Sequence, residues 1–414
     1  MRPAPKSFRL HIGLFGRRNV GKSSLLNAMT RQQVSIVSEV AGTTTDPVEK
    51  PMELLPIGPV LFIDTAGVDD VGALGQLRVE KTRQVFDRTD VGLVIAAAGE
   101  WGEFEKRILE ELRQREVPAI VVLNKSDIAH ASPQLIETLK AANVPWVETV
   151  ASAGRGMFEL REALIRAAPE EFINAPPLIA DLLPPGELAV LVVPIDKEAP
   201  KGRLIQPQVQ TMRELLDAGC CFMVARDWEF RGALARLNRP PALVVTDSQA
   251  FAKVAAETPR SVKMTSFSIL FARQKGDLSQ FVHGALAIER LRAGDRVLVA
   301  EACSHHPIAD DIGRVKIPRW LRQYVGGDLQ VDTTQGHDFP TDLKRYRLVI
   351  HCGACMWNRR EVLTRMLCCR QADVPICNYG MTIAYTLGIF DRALEPFPSA
   401  LETYRRLKAC PTSP

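Results

Sequence analysis

Glycine, lysine and serine residues near the N-terminus are spaced as in a loop that binds phosphate groups. Residues 16–23 match the pattern GxxxxGK[ST], in which glycines let backbone N–H groups close around phosphates. A β-rich run, Phe8–Phe15, precedes this loop and a helical pattern, Lys22–Thr30, follows it. We predict that Lys22 reaches the β- and γ-phosphates and that the Ser23 hydroxyl ligates Mg²⁺. The loop residues predicted to bind the nucleotide are Gly16, Asn19, Val20, Gly21, Lys22, Ser23 and Ser24.

A carboxylate and a glycine follow the next β-rich run, Val60–Ile63. There, Asp64 is predicted to lie near Mg²⁺, and the N–H group of Gly67 near the γ-phosphate. Three threonines at 43–45 lie between the two motifs, and alone they would indicate only a polar surface loop. We select Thr44 as a Mg²⁺ ligand that is in place only while the γ-phosphate is present. The residues predicted to support hydrolysis are Lys22, Ser23, Thr44, Asp64 and Gly67.

The residues NKSD at 124–127 follow a third β-rich run, Ile120–Leu123, and predict the base. The Asp127 carboxylate can accept hydrogen bonds from guanine N1–H and N2–H, a pair of donors that adenine does not offer. Backbone at Ser152 is expected near guanine O6. The sequence therefore predicts a GTP and GDP site, whose base-binding residues are Asn124, Lys125, Asp127, Ser152 and Ala153.

Cysteine and histidine residues gather in two short segments near the C-terminus. They are Cys303, His305, His306, His351, Cys352 and Cys355. Predicted strands Arg296–Ala300 and Tyr346–Ile350 precede the two segments. In a parallel sheet both segments would leave the same edge, so three thiolates can converge there. Three cysteines and one histidine are an ordinary zinc set, and the chemistry alone leaves zinc and an iron–sulfur cluster both open.

The chain has nine cysteines, an odd number that does not resemble the disulfide framework of a small secreted domain. Thiols or metal ligands are the better interpretation. Those interpreted as small buried apolar residues are Cys220, Cys221, Cys368, Cys369 and Cys410. Cys377 also ends a predicted strand and is left undecided.

The order of strands and helices predicts an α/β protein with mostly parallel sheets. A further buried run, Val91–Ala96, belongs to the first sheet, and Leu160–Ala168 is its last helix. Five prolines between residues 169 and 185 mark a linker. We predict a P-loop NTPase domain at 1–170, a small α/β domain at 180–260 and another at 261–414. The strands predicted for the last two are Leu188–Val193, Cys221–Ala225, Ala242–Thr246, Arg296–Ala300, Tyr346–Ile350 and Val374–Cys377.

Composition excludes several classes of protein. Of the 414 residues, 46% are apolar and 24% are charged, which is typical of globular domains. The net charge of +4 is mild, so no nucleic-acid partner is indicated. Apolar runs such as Leu188–Val193 are too short to cross a membrane, and no secretory signal is seen, so we expect a cytoplasmic protein.

The order of the nucleotide motifs resembles the translation-factor-like small GTPases, especially the Era and MnmE branch. The resemblance implies that Val68 stands where Ras-like proteins have a glutamine, so unaided hydrolysis is expected to be slow. Asn19 matches the asparagine that helps hold a potassium ion in the MnmE-like branch, which implies stimulation by K⁺. An equal hydrolysis rate in K⁺ and Na⁺ at constant ionic strength would contradict this.

The whole chain also resembles the HydF family, the maturation GTPases of iron–iron (FeFe) hydrogenases. The distinctive residues are CSHHP at 303–307, DDIGRVKIP at 310–318 and HCGAC at 351–355. The resemblance implies that Cys303, Cys352 and Cys355 hold a 4Fe-4S cluster. Its fourth ligand would be a histidine or an exogenous group, the candidates being His305, His306 and His351. It also implies a homodimer formed by the middle domain, a transient diiron precursor, and as partners two radical-SAM maturases and apo FeFe-hydrogenase.

Two other classes remain. One is a GTPase of ribosome or RNA assembly with a structural zinc site, although the mild charge offers no basic RNA-binding domain. The other is a metal- or redox-sensing switch unrelated to hydrogenases.

Overall fold

The structure is a computed structural model that describes residues 6–31, 47–54, 57–65, 82–169, 176–194, 204–302 and 311–409. These residues belong to two compact units, Met1–Ala175 and Pro176–Pro414, and each is described by itself. Several predicted site residues lie outside the described residues. They are Thr44, Gly67, Val68, Cys303, His305, His306 and Cys410.

The first unit contains a six-stranded sheet in the order β2-β3-β1-β4-β5-β6, in which only the β2–β3 pair is antiparallel. Its strands are β1 (Leu10–Phe15), β2 (Val48–Leu54), β3 (Gly58–Asp64), β4 (Val91–Ala97), β5 (Ala119–Asn124) and β6 (Trp146–Glu148). Its helices are α1 (Lys22–Arg31), α2 (Glu103–Gln114), α3 (Pro133–Ala141) and α4 (Met157–Ala167), with a 3₁₀ turn at Lys6–Phe8 and further helix at 82–88.

Helices cover both faces of this sheet. Successive side chains of a strand point to opposite faces, so both faces need apolar residues. Ile12 packs in one core with Leu160 of α4, and Ile63 packs in another with Leu112 of α2. Burial on both sides explains why every residue of β1 is buried.

The second unit contains two four-stranded sheets, both entirely parallel, in the orders β10-β9-β7-β8 and β12-β11-β13-β14. The first has β7 (Leu188–Val192), β8 (Cys221–Ala225), β9 (Leu243–Thr246) and β10 (Lys263–Ser266). The second has β11 (Arg296–Glu301), β12 (Gln330–Gln335), β13 (Leu348–His351) and β14 (Ile376–Asn378).

The helices of this unit surround both sheets. They are α5 (Gln206–Asp217), α6 (Phe230–Ala235), α7 (Phe251–Glu257), α8 (Phe267–Lys275), α9 (Leu278–Leu286), α10 (Ile317–Val325), α11 (Arg359–Gln371), α12 (Tyr379–Thr386), α13 (Phe390–Leu394) and α14 (Pro398–Ala409). Short 3₁₀ turns occupy Ala180–Leu182, Ser248–Ala250, Ala287–Arg290 and Leu343–Arg345, and a π-helical turn occupies Ile312–Lys316. One cluster of buried apolar side chains, from Leu178 to Tyr404, includes residues of both sheets.

The predicted α/β class with mostly parallel sheets is confirmed. The first sheet of the second unit extends through β10, a few residues beyond the 180–260 range predicted for the middle domain. The division into three domains itself stays a prediction. No helix among the described ranges is long and apolar enough to span a bilayer.

Candidate functional site

The phosphate loop connects β1 to α1, as the sequence predicts. Lys22 is buried, and its Nζ donates hydrogen bonds to the carbonyls of Gly16 and Arg17, both at 2.8 Å. A Cβ atom on Gly21 would lie 2.3 Å from Asn124 Nδ2, and the backbone there has φ of +96°. Only glycine fits that position, so the loop closes tightly around the lysine.

The structure brings Ser23 and Asp64 together at the end of the loop. The Ser23 hydroxyl donates a hydrogen bond to Asp64 Oδ2 at 3.2 Å. The second carboxylate oxygen, Oδ1, is buried and accepts no hydrogen bond from any described residue. Burial raises the pKa of Asp64, and the nearby Lys22 opposes that rise. A hydroxyl beside a half-buried carboxylate, one oxygen of which accepts no hydrogen bond from the described residues, fits Mg²⁺ and its water ligands.

Asn124 holds the nucleotide loops together. It is buried at the end of β5, and its Nδ2 donates to the Val20 carbonyl at 2.8 Å. Its Oδ1 accepts from Ala151 N and from Thr149 Oγ1, both at 3.1 Å. The phosphate loop is thereby tied to the segment that contains Ser152 and Ala153.

Asp127 is exposed on the turn after β5, which leaves its carboxylate accessible to a base. Lys125 has φ of +60°, and Ser126 is buried with its hydroxyl donating to the Thr149 carbonyl at 3.1 Å. Ser152 and Ala153 are exposed. The predicted base-binding residues thus belong to two loops that Asn124 and Ser126 join.

One arginine of the phosphate loop is engaged in a contact that the sequence does not indicate. Arg17 donates from Nε and Nη2 to the two carboxylate oxygens of Glu105, at 2.7 and 3.2 Å. Glu105 is fully buried in α2 and also accepts from Gly102 N at 2.9 Å. No sequence pattern links two residues 88 positions apart, so this support for the loop was missed.

The strands that precede the two cysteine segments end at the same edge of one sheet, as predicted. Strands β11 and β13 are parallel neighbours, with Ala300 opposite His351. The Cys352 sulfur accepts backbone N–H groups from Ala302 at 3.1 Å and Ala354 at 3.4 Å. Ala302 directly precedes Cys303 in the chain, so the sulfur lies beside the start of the other segment.

Donors aimed at a sulfur suit a metal-bound thiolate. Desolvation raises the pKa of the Cys352 thiol to about 11, so the free side chain stays protonated at neutral pH. A metal would displace that proton. In the parts of the chain that the structure describes, no three histidine, cysteine or acidic side chains cluster as a metal site; the Cys303 segment lies outside those parts.

His351 is neutral and engaged at both ring nitrogens. Burial lowers its pKa to about 3, so Nδ1–H donates to the Cys352 carbonyl at 2.8 Å. Its Nε2 accepts from Arg365 Nη1 at 3.4 Å. Ligation of a metal by His351 would therefore require breaking one of these contacts.

Arg365 joins the loop after β12 to the loop after β13 and was missed by the sequence analysis. Its guanidinium lies 4.2 Å from the Trp357 ring centroid and 4.6 Å from that of Phe339. It also donates to the carbonyls of Gly336 and Asp338, at 2.7 and 3.1 Å. An arginine buried in this way fixes the orientation of His351.

Most of the other described cysteines are buried. The interpretation as buried apolar residues is confirmed for Cys220 and Cys369, and Cys368 is half-buried. It is wrong for Cys221, which is exposed on the edge strand β8. Cys377 is buried, and desolvation raises its pKa to about 12.

Three protein-family models match the chain. The hydrogen maturase F dimerization domain matches residues 178–276, and the hydrogen maturase F tetramerization domain matches residues 279–396. Together these two span more than half of the chain. A 50S ribosome-binding GTPase model matches residues 11–125, which confirms the predicted GTPase domain.

Curated relatives match the GTPase part. The tRNA modification GTPase MnmE of Synechococcus sp. (strain JA-3-3Ab) is 41% identical over 158 residues, 37% of this chain and 32% of that protein. MnmE of Aquifex aeolicus is 35% identical over 168 residues, 39% of this chain and 36% of that protein. The chain thus spans about a third of the length of these relatives.

Solved structures of other proteins are also similar to part of the chain. Era from Aquifex aeolicus bound to GDP and AlF4⁻ has a TM-score of 0.33 and 22% identity, covering 52% of this chain and 91% of that one. The G domain of the Thermotoga maritima iron transporter FeoB has a TM-score of 0.32 and 23% identity, covering 39% and 99%.

Proposed function

Because the chain belongs to the hydrogen maturase F (HydF) family, we propose that it is a GTP-hydrolysing scaffold for assembly of the FeFe-hydrogenase active site. It would hold a 4Fe-4S cluster and a transient diiron precursor, and deliver that precursor to apo FeFe-hydrogenase. The observation that carries the proposal is the Cys352 sulfur, which accepts the N–H of Ala302 beside Cys303. One chain thereby combines a phosphate loop with cysteine residues that follow two neighbouring strands of a sheet.

The nucleotide chemistry follows from the first unit. Lys22 would neutralise the β- and γ-phosphates, while Ser23 and Asp64 hold Mg²⁺ directly or through water. Asp127 would select guanine. Thr44 and Gly67 are proposed to complete the site on the γ-phosphate side, and K⁺ stimulation through Asn19 stays a prediction.

Cys303, Cys352 and Cys355 would hold the cluster. Three thiolates leave one iron of a 4Fe-4S cluster open to an exchangeable ligand, which suits a scaffold that must bind a cargo and release it. His305 and His306 remain candidates for the fourth ligand, together with an exogenous group. His351 is the weaker candidate because both of its nitrogens are engaged.

The proposed partners are two radical-SAM maturases, which supply the precursor, and apo FeFe-hydrogenase, which receives it. The mild net charge of +4 favours no nucleic-acid partner. We propose that the protein acts in the cytoplasm and without a membrane partner.

Strand β8 is the proposed interface of a homodimer. It is an edge strand, with Cys221 and Val224 exposed and Phe222 and Met223 half-buried. Unpaired backbone groups and apolar side chains on one edge favour pairing with a second copy. The family match to a dimerization domain over residues 178–276 supports this assignment.

Val224→Lys is therefore expected to halve the mass of the assembly in sedimentation velocity, because the charge would be buried between copies. Ile128→Lys, at an exposed apolar residue of the first unit, is the matched control and should leave the mass unchanged. Wild-type protein that sediments as a monomer at high concentration would refute the homodimer.

The proposed function is tested by purifying the protein without oxygen and reconstituting it with iron and sulfide. We expect about four irons and four sulfides per chain, a visible charge-transfer band and an EPR signal after reduction. Stoichiometric zinc with no iron–sulfur signal would instead favour the RNA-assembly GTPase with a structural zinc site.

A further inference from the structure

A buried lysine supports the loop that contains Cys352 and Cys355. Lys275 is the last residue of α8, and only 5% of its surface is exposed. Its Nζ donates hydrogen bonds to the carbonyls of Ala354 at 2.8 Å, Cys355 at 3.4 Å and Trp357. All three N–H groups of the ammonium therefore donate to backbone carbonyls of one short turn.

The same loop reaches back to the helix that carries the lysine. Arg359 donates from Nη1 to the carbonyls of Gln274 at 2.6 Å and Gly276 at 3.4 Å. These carbonyls flank Lys275 at the C-terminal end of α8, where helix carbonyls lack partners within the helix. Two basic side chains thus lock α8 and the cysteine loop together from opposite directions.

The turn that Lys275 holds has a backbone conformation that needs support. Ala354, between the two cysteines, has φ of +50°, a region that non-glycine residues rarely adopt. The Ala354 N–H points to the Cys352 sulfur and its carbonyl accepts from Lys275. The lysine therefore stabilises the peptide that aims a donor at the sulfur.

The charge of this lysine has few partners in the described part of the chain. Burial disfavours the charged form of Lys275 and lowers its pKa to about 8, while electrostatic attraction to Cys355, Cys352 and Glu361 opposes that shift. Glu361 makes its own hydrogen bond with His337 Nδ1. Carbonyl groups solvate an ammonium but do not neutralise it, and an uncompensated buried charge is costly. Two cysteines in their thiolate form would supply the missing negative charge.

We infer that Lys275 is a positioning residue and built-in counter-cation for an anionic metal cluster bound by Cys352 and Cys355. The inference rests on the proposed function. Lys275 would act on the cluster in two ways: it holds the loop that carries the cysteine ligands, and it places a positive charge near them. A fixed positive charge favours the reduced, more negative state of a cluster, and so raises its reduction potential.

Three variants separate the charge from the hydrogen bonds. Lys275→Met removes both, Lys275→Gln keeps an N–H donor without the charge, and Lys275→Arg keeps both. Lys253→Met removes a half-exposed lysine that pairs with Asp227 elsewhere in the same unit, and is the matched control. For each reconstituted protein, iron and sulfide are counted and the reduction potential is measured by mediated titration followed by EPR.

We expect Lys275→Met and Lys275→Gln to shift the potential to more negative values, and Lys275→Arg and Lys253→Met to stay near the wild type. Lys275→Met is also expected to lose iron faster to a chelator. An unchanged potential in Lys275→Gln with full iron content would overturn the inference, as would an equal shift in Lys253→Met. If the wild type itself takes up no cluster, the proposed function fails, and this outcome is distinct from an unshifted potential.

Discussion

Cys352→Ser is expected to abolish stable cluster incorporation while GTP hydrolysis continues at the wild-type rate. The Cys352 sulfur accepts N–H groups from Ala302 and Ala354, so the residue directly before Cys303 and the turn that leads to Cys355 both contact it. A serine oxygen is a hard ligand, remains protonated at neutral pH and fits iron–sulfur chemistry poorly. Iron and sulfide per chain should fall from about four to below about one, with loss of the EPR signal of the reduced cluster.

Cys368→Ser is the matched control, because this half-buried cysteine lies on α11, close to the loop in sequence. It should keep the full iron content. Retention of a normal cluster in Cys352→Ser would show that this sulfur is not a ligand. Loss of both the cluster and the GTPase activity would point to misfolding, which a thermal melt of the metal-free variant detects.

The central strands were predictable from the sequence, whereas only some of the edge strands were, β8 and β14 among them. β1, β4 and β5 lie inside the first sheet, and their continuous apolar runs predicted each of them to within two residues. The strands that were missed, β2, β10 and β12, all lie at sheet edges. An edge strand buries less side-chain surface, so sequences such as QVDTTQ carry no apolar pattern.

The candidate sites were also only partly predictable from the sequence. Motifs that lie close together in sequence, such as the phosphate loop, identify their own chemistry because one short segment contains the donors. Supports such as Glu105 for Arg17 and Lys275 for the cysteine loop come from residues about 80 or more positions away. A single sequence has no signal for such pairs, since only packing of the elements makes them neighbours.

Asp127→Asn is expected to weaken GTP binding at least about 100-fold and to allow hydrolysis of XTP instead. The Asp127 carboxylate is exposed on the turn after β5 and would accept two hydrogen bonds from guanine. Hydrogen bonds to a charged group contribute about 1.5–3 kcal/mol each, and about 1.4 kcal/mol is a tenfold change in affinity. An asparagine amide sets its NH₂ donor against the guanine N2–H donor, whereas xanthine offers an acceptor there. Hydrolysis rates measured against the concentration of GTP and of XTP give both the loss of GTP binding and the gain of XTP hydrolysis.

Glu137→Gln makes the same change of charge at an exposed residue of α3 and should behave as the wild type. Asn124→Ala provides a second comparison, because Asn124 bonds Val20, Thr149 and Ala151 and so holds the loops of the site together. Its loss should weaken GTP and XTP binding alike and lower the melting temperature. An Asp127→Asn protein that still prefers GTP would mean that another group selects the base. The iron content should stay at the wild-type level in all three variants, because the substituted residues belong to the first unit of the chain and Cys352 and Cys355 to the second.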